Sequence, residues 1–150
     1  MKKYKFKLDA LLKIRKIKED QCKMHIGQLQ VHLTSLREEV SQHNKDINEA
    51  FELQEKSLVG GASGLETRFH PYFVQGKRTH IIKLEDEIEQ FELKVQQMYA
   101  RLNEFRADVK VIEEMKEKDQ KKYKKDLDKR MNAEIEEQVQ NWSQFNKANL

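Results

Sequence analysis

Between Ile81 and Ile112 an apolar residue recurs at alternating steps of three and four: Ile81, Leu84, Ile88, Phe91, Val95, Met98, Leu102, Phe105, Val109 and Ile112. A repeat held this long marks a seam between helices, because an apolar period of 3.5 residues keeps one narrow stripe turned toward a partner. A solitary surface helix would not sustain it. The upstream half carries a matching seam, in which Leu12, Ile26, Leu33, Val40 and Ile47 interleave with Leu8, Cys22, Leu29, Leu36 and Ala50. A globular helical bundle would add apolar residues on the flanks of each stripe. The narrow seams favour a coiled coil over that alternative.

One break separates the two seams. Four of the five glycines and the only proline fall within residues 59–76, VGGASGLETRFHPYFVQG. The chain is 37% charged with a mean hydropathy of −0.92, too polar for a thick core, yet its apolar residues keep a helical period that disorder would not require. The expected fold is therefore all-α: a long two-stranded antiparallel coiled-coil hairpin, one domain over residues 1–150. Helix 1 is expected over about 5–57, a connector over about 58–76, helix 2 over about 77–140, and a frayed tail over about 143–150. A connector this long should hold some order of its own. Ser63 to Glu66 matches a capping box, and Pro71 can open a short helical turn.

The polar interruptions of the seam suggest a register. With facing residue numbers summing to 134 or 135, Leu29 meets Phe105, Leu33 meets Leu102, Leu36 meets Met98, Val40 meets Val95 and Ile47 meets Ile88. Arg15 then falls opposite Asp119 and Glu19 opposite Lys116, so each seam charge gains an opposite one. A slip of one heptad would set Ile26 against Lys116 and Cys22 against Asp119, leaving charge unpaired in the seam. Only His43, opposite Phe91, finds no partner in this alignment and reads as a partly buried core histidine.

Helix 1, at about fifty residues, would span on the order of 75 Å at 1.5 Å per residue. In this register helix 2 outruns it, because residue 5 pairs near Arg130. The overhang bears Met131, Ile135, Val139, Trp142 and Phe145 at spacings of four, four, three and three. An apolar stripe with no partner helix reads as a docking surface over 131–142. Charge is segregated as well. Residues 1–18 hold eight Lys or Arg against one acid, and residues 116–130 hold eight against four. The acids concentrate at Glu38, Glu39, Asp46, Glu49, Glu52 and Glu55 on helix 1 and at Glu85, Asp86, Glu87, Glu89 and Glu92 on helix 2. Charge runs on helices are commonly just solvated faces, but segregation by end favours an electrostatically oriented partner.

The chain carries no motif for catalysis. VGGASG lacks the spacing and the Lys-Ser/Thr of a phosphate-binding loop. His25 and His32 lie two turns apart, about 10 Å, beyond the reach of one metal ion. Cys22, the single cysteine, sits on the seam as a small filler and suits a reducing compartment. No apolar run of about 18 residues is present to cross a membrane, and the amphipathic start does not read as a secretory signal. A two-stranded coiled coil offers no pocket, so no catalytic residue, metal site, cofactor or small-molecule substrate is expected.

The opening FKLDALLKIRKIKED, with Phe6, Leu8, Leu11, Leu12, Arg15 and Glu19, resembles the start of the flagellar type III export protein FliJ family. YFVQGKRTHIIKLEDEIEQ, leading into helix 2, resembles it too, and the likeness in architecture covers most of the chain. The resemblance implies a non-enzymatic stalk and escort, similar to the central stalk of rotary ATPases. It implies three partners: the hexameric export ATPase, the cytoplasmic domain of the export gate membrane protein, and export chaperones. It also implies a cytoplasmic protein held peripherally at the inner face of the cell membrane, at the flagellar base. Lys13, Lys16 and Lys18 on helix 1, with Met131, Ile135 and Trp142 on the overhang, are then expected to meet the ATPase ring. In the family the gate is met near the start of helix 2, which corresponds here to His80, Leu84, Glu87 and Phe91.

Two other readings start from the same residues. A basic coiled-coil arm could bind nucleic acid, although its cations are nearly all Lys and it lacks the aromatic and Arg enrichment of base-stacking surfaces. A plain spacer rod would leave the charge segregation without a use.

Overall fold

The structure, a computed structural model, describes residues 3–61 and 64–149, with the backbone alone for 64–69. It is all-α, a hairpin of two long helices packed on each other: α1, Asp9–Val59 (51 residues), and α2, Gly64–Ala148 (85 residues). Asp9 opens α1 with a carboxylate where the helix dipole favours negative charge, and its N–H donates to the Phe6 carbonyl at 3.3 Å. Lys56 occupies the last turn, where a cation is favoured. Gly60 closes that turn by donating to the Lys56 carbonyl at 3.0 Å. The next residue, Gly61, has φ of 78°, a left-handed conformation that costs any side chain with a Cβ about 1 kcal/mol or more.

The residues divide into two compact units, one of Met1–Glu19 with Glu104–Leu150 and one of Asp20–Asn103. In the first, Phe6, Leu12, Val109 and Ile112 are buried together, with Tyr4 and Leu8 packed against them. In the second, Ile47, Val74 and Ile81 are buried with Val40 against them. Every apolar seam position read from the heptads is buried or half-buried, as are Arg15, Glu19, His43 and Lys116, whereas Asp119 is exposed. No buried residue is charged or polar among those described.

The helix limits and the register both differ from expectation. Residues 64–76 are helical, so the connector shrinks to residues 60–63. Pro71 lies inside α2, where its missing N–H leaves the carbonyl four residues earlier without a helical partner and its ring crowds that carbonyl. Gly76 has open space where a Cβ would be. Ser63 and the Glu66 side chain, the proposed capping box, lie outside the described residues. α2 is helical through Ala148, beyond the limit of about 140 expected for helix 2.

A connector this short dictates which residues meet. Val59 and Gly64 have numbers summing to 123, and so do Tyr4 with Asp119, Arg15 with Asp108, His32 with Phe91, His43 with His80, and Asp46 with Lys77, all in contact. The expected sum of 134 or 135 came from matching the seam charges to one another, and it set the helices about eleven residues, close to three turns, out of true. Arg15 therefore meets Asp108 at 3.2 Å and not Asp119, and Glu19 meets Arg106 at 3.6 Å and not Lys116. Because eleven residues nearly preserve the facing of a helix, the seam set survived the error while every pairing changed. Chemical cross-linking separates the two alignments. In a Cys22→Ala background, Arg15→Cys with Asp108→Cys should be bridged intramolecularly by a short bismaleimide, and Arg15→Cys with Asp119→Cys should not.

Candidate partner-binding surface

In the first unit the chain start lies across α2. Tyr4 donates its phenol proton to Asp119 Oδ2 at 2.8 Å, and its ring stands 5.3 Å from that of Tyr123. Lys116 donates to Asp9 Oδ1 at 3.0 Å, and Lys16 reaches Glu113 at 3.4 Å. These pairs are half-exposed, so each contributes little stability, and they accompany the register rather than cause it. Burial of the Tyr4 ring, then its hydrogen bond to Asp119, pushes the phenol up to about 12 from 10.0.

The residues expected to meet an ATPase ring divide by this geometry. Lys13 and Lys18 are exposed, while Lys16 is engaged by Glu113. Past Tyr123 the second helix leaves its partner behind, and from Asp128 to Asn149 every residue is exposed. Met131, Ile135 and Trp142 are 44%, 55% and 69% exposed, with Val139 and Phe145 beside them equally open. The overhang starts about seven residues earlier than expected, since Tyr4 and not residue 5 with Arg130 marks where pairing ends. Unit one holds 19 Lys and Arg against 13 Asp and Glu, a net of +6. Unit two holds 10 against 13, a net of −3.

The second unit holds the residues expected to meet an export gate. His80 and Glu87 are exposed, but Leu84 is buried and Phe91 half-buried in the seam. Phe91 is covered by His32, ring centroids 4.4 Å apart, with the Lys94 ammonium 4.8 Å from its ring. His43, which the sequence register set against Phe91 without a partner, instead lies 3.2 Å from Lys77 Nζ and packs edge-on against His80 at 4.8 Å. Lys77 also donates to Asp46 Oδ2 at 3.0 Å, making a polar layer beside buried Ile47 and Ile81. Sequence reading missed this layer because Lys77 was placed at a helix start; its signal was Val74, Lys77 and Ile81 at heptad spacing. Near the turn, His70 packs against Phe51, its Nε2 out of water and without a hydrogen-bond partner.

Cys22 is buried with its thiol 3.5 Å from the Met98 carbonyl, as a seam filler would be. Among the described residues no group of three or more His, Cys, Asp or Glu could hold a metal ion, and no helix is long and apolar enough to cross a membrane. What the surface offers is charge and exposed apolar helix.

Compared with family models, residues 4–147 match that of the flagellar FliJ protein. The chain belongs to the FliJ family. The match spans both helices and nearly the whole sequence, so it rests on the complete hairpin and not on the basic start alone. No curated protein and no solved structure matches the chain. FliJ membership gives the protein a role related to flagellar export, in a family that is a non-catalytic component of that process.

Two titrations follow from the paired groups. The Lys77 hydrogen bond, then that of Gln42, holds the Asp46 carboxyl below its ordinary value of 3.8. A lowered folded pKa means stability fully present above the unfolded value and lost as pH falls through the folded one. Asp46→Asn should therefore flatten the acid limb of thermal stability below pH 4 and lower the melting temperature at neutral pH. For Tyr4 the sign reverses: its contribution is complete below pH 10 and is lost toward pH 12. Tyr4→Phe should delete the highest-pH step of the ultraviolet phenolate titration.

Proposed function

We propose that this FliJ-family chain is a non-enzymatic stalk and escort of flagellar protein export. In this reading its first unit engages the hexameric export ATPase through Lys13, Lys16 and Lys18 together with Met131, Ile135 and Trp142. The observation that carries it is the uncovered end of α2, where five large apolar side chains are 44–69% exposed on a continuous helix. Apolar surface of that kind on a helix marks a protein-binding face. The positive balance of the same unit supports a partner with an acidic rim, because opposite potentials speed and orient encounter. Export chaperones are further partners by this reading, and the protein works in the cytoplasm, peripheral to the membrane at the flagellar base.

Contact with the cytoplasmic domain of the export gate falls to the second unit. Leu84 is too deep in the seam to touch a partner directly, so His80 and Glu87 make the contact and Leu84 with Phe91 hold the helix that presents them.

Charge reversal and truncation test the ATPase reading separately. Lys13→Glu with Lys18→Glu should weaken ring binding about tenfold at low salt and make the remaining binding less salt-sensitive, since exposed charges are screened within about 8 to 10 Å. Ending the chain after Arg130 should weaken binding further while barely moving the melting temperature, because the removed residues bury nothing in the hairpin. If the truncated hairpin unfolds, the overhang is structural. If reversal abolishes RNA binding and leaves ATPase stimulation intact, the nucleic-acid reading replaces this one.

A further inference from the structure

The exposed stripe of α2 has a pattern of its own. At 100° per residue, the exposed Met131, Ile135, Val139, Trp142 and Phe145, preceded by half-buried Leu127, fall within a sector of about 120°, the width one packed helix covers. That sector also takes in Lys124, Asp128 and Gln138. Arg130 and Glu134 run along one edge of that sector, and Lys125 and Glu136 along the other. The charges also come in blocks. Residues 121–130 hold six Lys or Arg against two Asp, whereas residues 131–146 hold three Glu and no cation. Within one helix end, a basic block is followed by an acidic one.

We propose that this stripe is an isologous interface with a second copy of the chain, the two α2 ends packed antiparallel about a two-fold axis near Ala133. Antiparallel pairing brings each edge of the stripe against its own symmetry mate, and unlike blocks against each other. Arg130 then meets Glu134 of the partner subunit, and Lys125 meets Glu136 of the partner subunit, each twice by symmetry. In the same alignment Met131 packs on the partner's Ile135 and Leu127 on the partner's Val139. Lys124 reaches the ring of the partner's Trp142, a cation on an aromatic face. Parallel pairing is disfavoured because it stacks basic block on basic block.

The pairing uses Met131, Ile135 and Trp142, which the proposed ring contact also uses, so a paired copy would be excluded from the ring. Self-association itself does not rest on that reading. It is measured without any ATPase, so either idea can fail alone.

Sedimentation equilibrium of the full chain should show reversible dimers of the 18.0 kDa protomer. Arg130→Glu and Glu134→Arg should each weaken the dimer about tenfold, since each turns two symmetric attractions into repulsions. An equimolar mixture of the two variants should recover the wild-type affinity, because the antiparallel heterodimer restores both pairs. An effect confined to one helix, such as an Arg130 to Glu134 pair within the same chain, would not recover on mixing. Ile135→Ser, with helicity checked by circular dichroism, should abolish the dimer. A monomer at the highest soluble concentration overturns the proposal, as does a dimer that the variants leave unchanged or that mixing fails to rescue.

Discussion

Everything in this hairpin depends on how few residues the chain takes to reverse direction. With Gly61 in a left-handed conformation and Val59 and Gly64 as helix ends, α2 starts level with the end of α1. From there the facing of residues is arithmetic. Each step down one helix is a step up the other, and Arg15–Asp108 in the first unit and Asp46–Lys77 in the second share one sum. The polar contacts at Asp46–Lys77, Arg37–Glu92 and Arg15–Asp108 are consistent with that choice rather than its cause. Such exposed or half-exposed pairs are individually weak. Their value lies in penalising alternatives, since a slipped register would leave several of them facing carbon.

How far the sequence speaks is clear from particular residues. The heptads named most of the seam, including Arg15, Glu19 and His43, because apolar periodicity records which face is covered; they stopped short of Val74 and Lys77 and took in exposed Asp119. They did not name the partner of any seam residue, because periodicity is blind to translations that preserve the face. Only the loop length resolves that, and here Pro71 and Gly76 disguised helix as connector. Pro71 is the eighth residue of α2, past the first turn where proline is tolerated, so by local chemistry alone it argues against a continuous helix. Val74 is buried at 6%, seven residues before Ile81, and is the clue that outweighed the proline.

The exposure of the overhang was legible to the same degree and for the same reason. That Met131, Ile135 and Trp142 would be uncovered followed from a seam that runs out of partner, and the family match over residues 4–147 supplies the flagellar setting. Less legible were contacts made by side chains off the seam. Tyr4 against Tyr123 and His32 over Phe91 involve aromatic rings lying across the join, which no spacing rule announces. Leu84 shows the converse hazard, a residue assigned to a surface by family position that the packing holds in the seam.

The last turns of α2 have a backbone held together only by its own hydrogen bonds, with no second helix to bury against. For such a segment, order is governed by helix–coil cooperativity, in which each added residue gains little and a single nucleus is costly. The end of α2 is thus a primer extending from a templated double strand: the paired region has already met the nucleation cost, and the free turns propagate from it. A ligand helix laid along that primer would begin with its template already wound.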